Sequence, residues 1–164
     1  MKEAIGGTFI LQMIVTFIVI IMSYLAFSVN YTKAFRVKNE IRSIIERNEG
    51  LTCQAKQQIK SLMITNNYHQ NPGFDTWCEN NGYKVANMEV GSFCYKYNPV
   101  NISGDASGTT TYKGAYYTVA TFVDIHIPLV EKMLPITGGL FLVKGETALI
   151  YATGLGDSFP GSCS

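Results

Sequence analysis

Between Glu3 and Lys33 the chain carries no charged residue, and most side chains in that stretch are Ile, Leu, Val, Phe or Met. About 20 such residues in a helix cross roughly 30 Å of hydrocarbon. The run from Ala4 to Thr32 therefore predicts either a membrane span or the centre of a helix bundle. A single soluble domain in a chain of 164 residues has no interior that needs a helix apolar on every side. A cleaved secretory signal is the competing reading. Its apolar region is about 7 to 15 residues long, follows a basic segment and ends at a small-residue cleavage site. Here the run is longer, Met1-Lys2-Glu3 offers one charge of each sign, and the nearest small-residue triplet, Ala26-Phe27-Ser28, is broken by Phe27.

The charged segment that follows continues the same helix. From Ala34 the apolar positions fall at Ala34, Val37, Ile41, Ile44 and Ile45, the alternating three- and four-residue spacing of a single helical stripe, with Arg36, Glu40, Arg42 and Glu46 elsewhere. No Pro or Gly interrupts residues 8 to 48, and Asn48-Glu49-Gly50 supplies a stop. At 1.5 Å per residue this predicts one helix of roughly 60 Å, apolar all round in its first half and sticky along one line in its second.

Composition narrows the partners. A net charge of +1 with 15% charged residues leaves no basic face for nucleic acid. All four cysteines, Cys53, Cys78, Cys94 and Cys163, lie beyond the apolar run, an even number compatible with two disulfides in an oxidising compartment. Four buried thiols are the alternative. Lys33, Arg36, Lys38 and Arg42 beside the run would by themselves hold the downstream part in the cytoplasm. Their alternation with Glu40, Glu46 and Glu49 instead marks a helix face. Together with the cysteines this favours an extracytoplasmic domain.

Beyond residue 50 the pattern is α+β. Thr52 is placed to cap a second helix, with Ala55, Ile59, Leu62 and Met63 as its apolar positions and Asn66-Asn67 as its end. Turn signals crowd Tyr68 to Gly114: Pro72-Gly73, Asn80-Asn81-Gly82, Asn98-Pro99 and a Gly/Ser/Thr tract from Ser103 to Thr111 read as a loop. Short strands fit Tyr83–Val90 and Ser92–Tyr97. Strict alternation from Tyr117 to Ile127, and again from Phe141 to Tyr151, predicts two strands with one buried face each, paired antiparallel. The stripe of the long helix is their natural cover. The turn at Asn80-Asn81-Gly82 would return Cys78 toward Cys94, leaving Cys53 for Cys163. Tyr112, Tyr116 and Tyr117 form an aromatic cluster that would serve either as a contact surface or as a cap on the sheet.

This order of parts, with Phe27-Ser28-Val29-Asn30-Tyr31 leading into Lys33-Ala34-Phe35 and the closing Val143-Lys144-Gly145-Glu146-Thr147-Ala148, resembles the pilins and pseudopilins of type IV filaments, and more closely the TadE-like pseudopilins of tight-adherence systems. The resemblance implies a long helix packed on a C-terminal antiparallel sheet. It also implies three segments: 1–32 as leader and transmembrane or filament-core helix, 33–50 as its amphipathic continuation, and 51–164 as an extracytoplasmic α+β head. Phe9, Val15, Phe17, Ile18 and Ile21 would then line a filament core. Gly7 stands where prepilins are cut, so Thr8 would become the amino terminus. Gln12 occupies the place of the usual glutamate, which reduces a charge-assisted contact with a neighbouring subunit to a neutral hydrogen bond.

Catalytic patterns are missing from the sequence. His69 sits in a turn region, His126 shares a strand with Asp124, and Glu131, Glu146, Asp75 and Asp157 are scattered. There is no phosphate-binding loop, no nucleophile elbow and no metal-ligand spacing. Asn30-Tyr31-Thr32 and Asn101-Ile102-Ser103 match the glycosylation triplet, a pattern common by chance. The expectation is a structural subunit without cofactor or metal, whose partners are the membrane and then copies of itself or related pilins in a cell-surface filament. The alternative is a single-pass surface protein whose head binds a partner or ligand.

Overall fold

The apolar run and the charged segment after it are one helix. A computed structural model describes residues 2–68, 73–88, 91–104, 110–122 and 142–151, and in it α1 spans Lys2–Arg47 without a break. Its end is where the sequence places it. Glu49 and Gly50 adopt positive φ of 52° and 129°, and the Gly50 N–H donates to the Ile45 carbonyl at 2.9 Å, closing the last turn with a left-handed residue. A short link then reaches α2, Cys53–Thr65. Its first turn is capped by Thr52, whose hydroxyl accepts from the Ala55 N–H at 3.2 Å.

A third helix, α3, Gly73–Asn80, was not expected from the sequence, which reads there as turns. Eight residues give barely two turns, too few to carry a period and too few to be stable alone. Its stability comes from what it rests on. Phe74 and Cys78 are buried, the Phe74 ring stacks on Phe122 at 4.1 Å, and Trp77 meets the same ring edge-on at 5.4 Å.

The sheet is a four-stranded antiparallel meander of order β1-β2-β3-β4, formed by Lys84–Met88, Gly91–Gly104, Thr110–Phe122 and Leu142–Glu146. The fold is thus α+β, with a long N-terminal apolar helix and an antiparallel sheet. The expected pairing of the last two strands is present, with Thr118 opposite Glu146 and Phe122 opposite Leu142. Two boundaries differ from expectation. Asn98-Pro99 is not a turn, and Ser103, Gly104, Thr110 and Thr111 belong to strands, not to a loop. Pro99 is tolerated because β1 pairs only with Gly91–Tyr95, so no ladder bond on that side is asked of it. The expected strand residues 123–127 lie outside the described residues.

One face of the sheet packs on α1 and α2, through a core that includes Val37, Ile41, Ile45, Ile59, Phe93, Tyr117 and Val119. The other face meets α3 through Cys94, Ala120 and Phe122. β3 is therefore buried on both faces from Val119 to Phe122, where alternation had suggested one. Tyr117 is a core residue and no surface aromatic. Tyr68, after α2, pins the end of β3: its hydroxyl donates to the Phe122 carbonyl at 3.2 Å and accepts from the Phe122 N–H at 3.0 Å.

Candidate functional site

The site with the most to explain is the first half of α1. Phe9, Val15, Phe17, Ile18 and Ile21 are all exposed, Phe9 and Phe17 to 65%. Its most apolar stretch has no buried residue, and the helix is long and apolar enough to cross a membrane. Its polar groups suit such a medium. Thr16, Ser23 and Thr32 each donate a hydroxyl to the carbonyl four residues earlier, at 2.8 Å, so none needs water. Gly7 lies within the helix with nothing within 4 Å of where a Cβ would stand. Its absent side chain therefore relieves no crowding inside this molecule. Thr8 and Gln12 continue the exposed surface.

At Ala34 the helix passes from exposed to buried. The Thr121 hydroxyl donates to the Ala34 carbonyl at 3.1 Å, and the Lys33 ammonium donates to the Asn67 carbonyl. One turn on, Lys38 is 6% exposed. Its stem runs so close to Gly145 that a Cβ there would lie 2.9 Å from Lys38 Cδ. Its ammonium sits 4.2 Å from the Phe35 ring centre and 3.5 Å from the Lys144 carbonyl, and among the described residues no carboxylate is in ion-pair range. Burial, and then the neighbouring Arg42, lower its pKa below 10.5. Helical spacing alone could have found this residue. Lys38 stands four after Ala34 and three before Ile41, inside the stripe.

Near the end of α1, Glu46 clamps the last described segment. Its carboxylate accepts from the Ala148 N–H at 2.7 Å and from Arg42 Nε at 2.9 Å. Burial alone would raise its pKa, but these two donors outweigh it and hold the group below 4.5.

Cys78 and Cys94 form a disulfide, both fully buried, joining α3 to β2. Cys53 is also disulfide-bonded, while its expected partner Cys163 lies outside the described residues. Beside this bridge, Lys144 Nζ lies 5.5 Å and 5.4 Å from the ring centres of Trp77 and Tyr83, a contact that no sequence pattern announces. His69, His126, Glu131 and Asp157 are outside the described residues. Asp75 accepts from the Ser92 hydroxyl at 3.2 Å. Among the described residues no three His, Cys, Asp or Glu side chains gather as a metal site would require. No family model, curated protein or solved structure matches this chain.

Proposed function

We propose that the protein is a structural subunit of a type IV-like surface filament, held in the membrane by residues 8–29 until the same helix is drawn into a filament core. The observation that carries this reading is the division of α1. One continuous helix offers an exposed apolar half, while its second half is fixed to a disulfide-bonded head. In water such a surface is untenable. Lipid covers it in storage, and neighbouring helices of the same kind cover it in a filament.

On this reading the head lies outside the cytoplasm, where a disulfide persists, and the chain is not an enzyme. Electron microscopy of sheared cell-surface material, with mass spectrometry of the mature amino terminus, tests it. Filaments containing this chain, beginning at Thr8 or retaining Met1, fit a subunit; a chain beginning near Val29 defeats it. A single-pass surface protein is the second reading, favoured by Gln12, which lacks the charge of the glutamate expected in a filament subunit. A chain found only in the membrane fraction, with no filament, selects that second reading.

A further inference from the structure

Gln12, Thr16, Val19, Ser23, Ala26 and Asn30 recur along α1 at alternating steps of four and three. At 3.6 residues per turn they fall on one line of the helix. After one further step of four that line runs into Ala34, Val37, Ile41 and Ile44, the row already buried against the head. The opposite face is different: Ile10, Ile14, Phe17, Ile21 and Tyr24 are all large and exposed. A shallow groove lined by Phe9, Met13, Phe17 and Ile20 lies along one flank of the row at its N-terminal end, with Gln12 and Thr16 as its edge.

The hydroxyls of Thr16 and Ser23 are satisfied within the helix. The carboxamides of Gln12 and Asn30 make no hydrogen bond among the described residues. Gln12 lies inside the membrane-held segment, where hydrocarbon cannot supply one, and Asn30 stands at its edge; such groups find partners on a neighbouring helix.

We propose that this row is a contact line between two parallel copies of α1 in the membrane, resting on the anchored placement shared by both readings of function. A carboxamide both donates and accepts, so like pairs with like. Two copies anchored at the same depth bring Gln12 opposite Gln12 and Asn30 opposite Asn30. A different helix would need matching polar groups about 27 Å apart, at 1.5 Å per residue. The four-three repeat keeps one seam facing its partner in a left-handed pair, and Ser23 and Ala26 let the backbones approach.

Oxidative cross-linking of the full-length chain in native membranes tests the seam. Ser23→Cys and Ala26→Cys should give covalent dimers several-fold more readily than Ile14→Cys and Ile21→Cys, and Gln12→Leu with Asn30→Leu should abolish that preference. Equal cross-linking around the helix, or none at Ser23 and Ala26, overturns the proposal. Microscopy of the same cells separates it from the filament reading. Filaments without the seam preference remove only the seam; a seam without filaments removes only the filament.

Discussion

The two halves of α1 share one backbone and differ in what they face. From Ala34 onward every third or fourth side chain is buried against the head, and Arg36, Glu40, Arg42 and Glu46 stand between the buried positions. From Phe9 to Tyr31 no apolar side chain is buried. A narrow apolar stripe between charged residues is the mark of a helix whose partner is in the same chain, and an uncharged, broadly apolar surface marks one whose solvent lies elsewhere. The sharpest way to break this contrast is to place the same charge in both halves. Ile41→Asp buries an unpaired carboxylate in a core position that is 0% exposed, and should destabilise the head by about 4 kcal/mol or more. Ile18→Asp should leave the denaturant midpoint of the head unchanged. On the proposed function its effect would fall on membrane retention and assembly, where a charge at the centre of an apolar helix costs on the order of 3 kcal/mol. Val15→Asp should behave in the same way. If Ile18→Asp unfolds the head, the halves are not independent.

The second prediction turns to the head. Cys78 and Cys94 are separated by 16 residues, and closing a loop of that length is worth about 3 kcal/mol in the chain-entropy model. Replacing both by Ala should lower the head's melting temperature while leaving the apolar half of α1 helical by circular dichroism. Peptide mapping under non-reducing conditions should recover the Cys78–Cys94 linkage; free thiols at both positions would refute it.

What was legible in the sequence follows the same division. Long periodic signals survived: α1, the cap at Thr52, the pairing of β3 with β4, and the Cys78–Cys94 bridge. The short strands expected at Tyr83–Val90 and Ser92–Tyr97 are present as β1 and as part of β2, but the short helix was not legible. α3 exists because Phe74, Trp77 and Cys78 have a sheet to rest on, and no local pattern announces that. Pro99 and the Ser/Gly/Thr tract carry turn propensity, yet the Val100–Gly104 segment pairs with Thr110–Gly114, because cross-strand pairing overrides weak local preference. Lys38 escaped notice through its charge, although its spacing placed it in the core stripe.

Removing the Tyr68 hydroxyl comes next in size. Tyr68→Phe leaves the Phe122 N–H and carbonyl without that partner in a buried setting, and should cost about 2 kcal/mol, read as a shift in chemical denaturation. Lys38 should act in the opposite direction. Its lowered pKa means that the folded state binds fewer protons than the unfolded chain between that pKa and 10.5, so stability should rise with pH across that window. Lys38→Met removes the desolvated charge and should stabilise the head by about 1 kcal/mol. Gly145→Ala should destabilise it through the Lys38 stem, and Lys38→Ala should relieve that effect, a coupling that a double-mutant cycle measures.

The smallest expected effect belongs to Glu46, and it asks whether the second half of α1 is tied to the sheet by charge as well as by packing. Its folded pKa is depressed, so between that value and its ordinary 4.5 the unfolded chain binds more protons than the folded one. The stabilisation is complete above the unfolded pKa and is lost as pH falls through the folded one. Glu46→Gln keeps an oxygen for the Ala148 N–H and loses the charge toward Arg42. The variant should therefore be slightly weaker at neutral pH, by less than about 1 kcal/mol for a partly exposed pair, and flatter on the acid side. Urea melts at neutral pH and through the acid range read both. Parallel acid limbs for the two proteins would assign the clamp to packing alone and leave Ile41, Ile44 and Ile45 to hold the helix to the head.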